Sequence, residues 1–119
     1  MSLQADDYEE IRQLLARYNF AIDFGHIDDW VETFVPEGKF SCVGLPEDAP
    51  LGGTHEGKDA LRSYAESHFG VNQGRARHWN WNLVIEGNGD TATMQCYLNA
   101  YSAGQGESAL FRVTGVYRD

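Results

Sequence analysis

Cysteine is scarce in this chain. Cys42 and Cys96 are the only two, far apart and each within an alternating, strand-like stretch. That spacing offers neither a disulfide framework nor a Cys-x-x-Cys pair, and both thiols read as small buried apolar side chains. Basic residues are also few: nine Lys and Arg stand against 18 Asp and Glu, a formal charge of −9. A surface this acidic repels phosphate backbones, so no nucleic-acid partner is expected. No apolar run is long enough for a membrane-spanning helix. The opening Met-Ser-Leu-Gln-Ala-Asp-Asp lacks the basic-then-apolar layout of a secretory leader. A cytoplasmic setting with no membrane partner is therefore expected, and Met1–Leu3 is set aside as a remnant. There is no His-Glu-x-x-His or His-x-His, no dinucleotide or phosphate-loop glycine spacing, and no nucleophile-elbow serine. No metal is expected.

What is present is a globular composition over 119 residues, 42% hydrophobic and 13% aromatic, enough for one domain with one core over residues 5–119. The first part has a helical period. Tyr8, Ile11, Leu15, Tyr18 and Ile22 form one apolar stripe, Asp6 or Asp7 suits the helix start, and Gly25 suits its end. A short helix over 27–34 follows, then a strand over 39–43 and a loop over 45–53. His55 and Glu56 lead into a third helix over 58–69, ended by Gly70. From Arg75 onward the period is two. Strands are expected over 75–86, 91–102 and 110–117, joined by turns at 87–90 and 103–107. Helices first and antiparallel strands after predict an α+β domain, with helices on one face of a curved sheet.

Strict alternation would put Trp79, Trp81, Leu83 and Ile85 on one face of the first long strand. His78, Asn80, Asn82 and Val84 would take the other. In the next strand, Gln95, Tyr97, Asn99 and Tyr101 oppose Met94, Cys96, Leu98 and Ala100. Three residues stand out for chemistry. Asp23 ends the first helix between apolar neighbours, although an acid has the wrong sign for a helix C-terminus. His78 shares its face with amides, and Tyr18 lies on the apolar stripe. The other histidines have structural readings: His26 exposed after Gly25, His55 at a helix entry, and His68 in a last helical turn, where its charge suits the dipole.

The ordered pattern Tyr18-x4-Asp23, Asp29-Trp30, Phe34, Phe40, Gly57, Arg77-His78-x3-Asn82-x2-Ile85 and Gly89-Asp90-x-Ala92 resembles the SnoaL-like branch of the NTF2-like superfamily. That branch includes scytalone dehydratase and hexachlorocyclohexane dehydrochlorinase. The resemblance runs from about Ile11 to Tyr117 and implies a cone-shaped α+β barrel. It also implies a lyase or isomerase that works without cofactor on a small apolar or polyketide-like molecule. His78 would take a proton from carbon, and Asp23 would orient it and stabilise the imidazolium. Tyr18, Asn82, Tyr97, Tyr101 and Trp30 would contact the substrate.

The following strand reads Asn99-Ala100-Tyr101-Ser102 where scytalone dehydratase carries a second histidine, and Ile22 replaces the tyrosine before the aspartate. Scytalone itself is thus a poor fit. Relatives continue past the equivalent of Tyr117 into a Trp-containing last strand, which this chain is expected to lack. The alternative within the same fold is a non-catalytic binding or assembly subunit, as in the β-subunits of ring-hydroxylating dioxygenases. Trp79 and Trp81 on one sheet face predict a homo-oligomer, dimer or trimer, in either case.

Overall fold

The computed structural model describes residues 2–45, 48–49, 51–103 and 109–118. Its elements are α1 (Ala5–Phe24), α2 (Ile27–Glu32), β1 (Lys39–Cys42), β2 (Gly53–Glu56), α3 (Lys58–Asn72), β3 (Ala76–Asn88), β4 (Thr91–Ala103) and β5 (Ala109–Arg118). They fall into two compact units. One joins Met1–Asn19 to Arg75–Asp119, and the other is Phe20–Gly74. Among the described residues no helix is long and apolar enough to cross a membrane.

In the first unit α1 packs on an antiparallel sheet of order β3-β4-β5. The helix starts where expected, since Asp7 Oδ2 reaches back to accept the Gln4 backbone N–H at 2.8 Å and satisfies a donor that no helical carbonyl can reach. Its stripe packs as the spacing predicts. Leu15 is buried with Ile85, Met94 and Cys96, and Tyr8, Ile11, Tyr18 and Leu83 pack against that cluster.

The sheet corrects the expected face assignment. Arg77 to Trp81 pairs with Tyr101 to Tyr97 in regular register, but Val84 then pairs with Gln95, so one residue too many stands in β3 between Trp81 and Val84. Asn82 absorbs this bulge with φ 55°, in the left-handed region that asparagine tolerates better than most side chains. The bulge reverses the parity of everything after it. Leu83 and Ile85 turn to the helix-covered face with His78, Asn80, Met94, Cys96 and Leu98, while Val84 joins Trp79, Trp81 and Tyr97 on the other. A second register shift falls between Ala100 and Tyr101 in the β4–β5 pairing. Gly89, with φ 63°, makes the β3–β4 turn. The turn expected at 103–107 lies, beyond Ala103, outside the described residues.

The second unit begins with the last residues of α1. Gly25 ends that helix at φ 74°, and the His26 N–H closes it on Ala21 O at 2.9 Å. A Cβ on Gly25 would come within 2.4 Å of the Phe69 ring, so close packing requires glycine here as well as backbone freedom. Residues 53–56, expected to be a helix entry, instead form β2. It pairs antiparallel with β1 in the register Phe40↔His55 and Cys42↔Gly53. Four residues contain no period to read, and the partner strand lies in a different part of the sequence. Helix α3 also runs past Gly70, to Asn72, and stops at left-handed Gln73 with φ 51°. A helical glycine costs only about 1 kcal/mol, less than a well-packed helix supplies. His68 is buried on α3, within the helix rather than at its open end. Its ring centroid lies 6.1 Å from that of Tyr64.

Candidate functional site

Asp23 lies in the last turn of α1 and is only 5% exposed. Aspartate is rarely buried this far without a partner or a role, which makes Asp23 a candidate for function. Asp23 belongs to the second unit, and His78, half-buried on β3, to the first.

Around His78 the helix-covered sheet face carries an amide pair. Asn80, two residues along the same face, accepts a hydrogen bond from Asn19 Nδ2 on α1 and donates from its own Nδ2 to Tyr97 O at 3.3 Å. Asn19 is 9% exposed. Tyr18 packs beside it against the Leu15–Ile85–Met94–Cys96 cluster. The first unit thus presents an imidazole, a tyrosine and two amides on a face otherwise lined by aliphatic and sulfur side chains. A few polar groups in an apolar setting is the pattern of a small-molecule site.

The remaining candidates are placed elsewhere. Asn82 sits in the bulge, exposed, while Asn80 keeps the place on His78's face that alternation gave it. Tyr97, 55% exposed, and Tyr101 lie on the opposite sheet face from His78. Tyr101 packs there on Trp79, with ring centroids 5.6 Å apart. Trp30 is 1% exposed. Its ring meets those of Phe34, Phe40 and Tyr64 at centroid distances of 4.8, 5.8 and 5.6 Å, which makes it core rather than pocket wall. The residue that sequence reading missed is Asn19. Its signal was available, since it stands four residues before Asp23 and shares that face of α1.

Buried Tyr64 has its phenol pushed well above the usual tyrosine range, first by desolvation and then by the neighbouring Cys42. Partial burial also pushes the Cys42 thiol up, so neither group is activated as an anion. An open groove of about 650 Å³ lies between the start of α1 and the β3–β4 turn, lined by Asp7, Glu10, Leu14, Arg17 and Asp90 among others. It sits at the far end of β3 from His78 and has no amide pair or imidazole. Among the described residues no three His, Cys, Asp or Glu side chains form a set able to hold a metal ion.

The profile of the SnoaL-like domain family matches residues 4–119. The chain belongs to the SnoaL-like domain family. Solved structures place this SnoaL-like chain in the NTF2-like, cystatin-like fold, an α+β architecture. A Nostoc punctiforme protein of unknown function with a cystatin-like fold is 27% identical at TM-score 0.84, over 100% of this chain and 81% of that one. A proposed dehydratase of the NTF2-like family from Streptomyces avermitilis is 21% identical at TM-score 0.65, over 95% and 86%. The β-subunit of a proposed aromatic-ring-hydroxylating dioxygenase from Novosphingobium aromaticivorans is 20% identical at TM-score 0.65, over 92% and 74%. The comparison with curated proteins finds no match.

Proposed function

We propose that this SnoaL-like chain is a lyase or isomerase that removes a carbon-bound proton from a small, largely apolar, polyketide-like molecule, with Asp23 and His78 as its dyad. The observation that carries the reading is the burial of the Asp23 side chain in the last turn of α1. The dehydratase of the same fold supports the reaction class.

His78 takes the proton from a carbon beside an electron-withdrawing group. The C–H electron pair becomes the new C=C bond, and the bond from the adjacent carbon to hydroxide breaks with its own pair. The imidazolium then returns its proton to the departing hydroxide as water. Asp23 orients the imidazole and stabilises the imidazolium that forms. In isomerisation the same proton returns to a different carbon. A base and its charge partner suffice for this chemistry, with no cofactor. The exposed aromatic side chains Trp79, Trp81 and Tyr97 form the surface through which the chain forms homo-oligomers.

The test is a panel of β-hydroxy ketones built on one or two fused aromatic rings, followed by enone formation. His78→Ala and Asp23→Asn should each lose about 10²–10⁴-fold in turnover while circular dichroism stays unchanged. A fully active His78→Ala would overturn the reading. The second reading, a structural subunit, rests on the dioxygenase β-subunit of the same fold and the exposed Trp79–Trp81 face. It expects no turnover from any panel member and stable co-purification with a larger iron-containing chain.

A further inference from the structure

Hydrogen-bond polarity fixes both amides of the Asn19–Asn80 pair. The Tyr97 carbonyl can only accept, so the group that Asn80 points at it must be its nitrogen. The oxygen of Asn80 therefore faces Asn19, and because an oxygen only accepts, Asn19 must present its own nitrogen. Neither amide can flip without facing like against like. This leaves Asn19 Oδ1, which is buried and receives no hydrogen bond from any described residue. A buried acceptor without a donor is destabilising, and folded proteins hold few of them. Leucine would fill the same volume without that cost.

We infer that Asn19 is a specificity-determining residue whose Oδ1 accepts a hydrogen bond from a hydroxyl group of the bound molecule. The inference rests on the proposed small-molecule reading of this face. It adds that the ligand is a hydroxyl donor, not a wholly apolar compound. Asn80 is the positioning residue, since its two hydrogen bonds hold the Asn19 oxygen in place. Successive same-face residues of a strand are about 7 Å apart, so the hydroxyl lies roughly one ring's width from the His78 position. That fits a planar hydroxylated ring spanning the two. Sites with a committed polar partner discriminate strongly, because a ligand lacking the matching group leaves the buried acceptor unpaired.

The probes are 1-naphthol and 1-methoxynaphthalene, which differ only in the donor, titrated calorimetrically against the intact protein. The wild type should bind the naphthol about tenfold more tightly, and Asn19→Leu should bring the ratio to about one. Asn19→Asp should restore it. A carboxyl buried there is held protonated, donates to Asn80 Oδ1 as the amide does, and keeps a carbonyl oxygen free to accept. On the wild type alone, the Asn19 side-chain NH₂ resonances should shift with naphthol and not with its methyl ether, which decides the matter even if Asn19→Leu does not fold. An equal affinity for both probes, a preference retained in Asn19→Leu, or no binding of either probe would overturn the inference. Binding and turnover separate this inference from the catalytic reading: the tenfold preference is read on the wild type without any reaction, so a lyase reading that fails on turnover leaves this result standing on binding alone.

Discussion

The two units are filled by different chemistry. Phe20–Gly74 closes around rings, with Trp30 against Phe34, Phe40 and Tyr64, and Phe40 against Tyr64, beside fully buried Leu61 and Val31. The sheet unit closes around a thinner cluster of Leu15, Ile85, Met94 and Cys96 and adds a directional element, the Asn19–Asn80 amide pair. Ring packing tolerates small rotations and answers to volume. An amide pair answers to hydrogen-bond polarity, since a donor set against a donor is worse than no contact. One unit is thus specified by size and the other by direction.

That contrast breaks first at Trp30. Trp30→Ala should destabilise the protein by about 3–5 kcal/mol in urea titration, more than any single change in the sheet unit. Gly25→Ala comes next. Its positive φ and the Phe69 ring in the path of a new Cβ should together cost about 2–3 kcal/mol, read as a lowered unfolding midpoint. Asn80→Leu should cost about 1–3 kcal/mol, because it strands the Asn19 NH₂ in a buried place. The double change Asn19→Leu with Asn80→Leu should cost less than the sum of the two singles, a non-additivity that equilibrium unfolding of all four proteins measures.

Tyr64 sharpens the comparison through pH. Its phenol is raised in the folded state. Below about pH 10 it is protonated both folded and unfolded and has no effect on stability. Above that value the unfolded chain releases its proton first, and stability falls by up to ~1.4 kcal/mol per pH unit. Tyr64→Phe should flatten the unfolding profile between pH 10 and 11.5. The smallest effect belongs to the surface. Arg62→Ala removes the exposed pair with Asp28 and should change the melting temperature by no more than a degree or two, less still in high salt.

How far the sequence foretold all this depended on whether the cause was local. The α1 stripe from Tyr8 to Ile22, the Gly25 stop and the long alternating strands all follow from period and backbone preference, which neighbouring residues set. The family match rests on the order of pieces such as Tyr18-x4-Asp23 and Arg77-His78, again a linear property. Strand β2 was hidden because Gly53–Glu56 is defined by its distant partner β1. The bulge at Asn82 was hidden because an extra residue becomes visible only when two strands are laid side by side. It took Asn82 out of the regular alternation that would have kept it on the face of His78 and Asn80. The place of Asn19 on the Asp23 face of α1 was legible, but its hydrogen bond to Asn80, far away in sequence, was not.

The bulge also sets a practical rule for anyone attaching a reporter to this sheet. Odd and even numbers exchange sides between Trp81 and Val84. Fluorophores or spin labels placed at 79 and 84 would therefore report on the same sheet face, despite their opposite parity. A cysteine scan along β3 should show solvent accessibility alternating up to 81, stuttering once, and resuming in inverted phase.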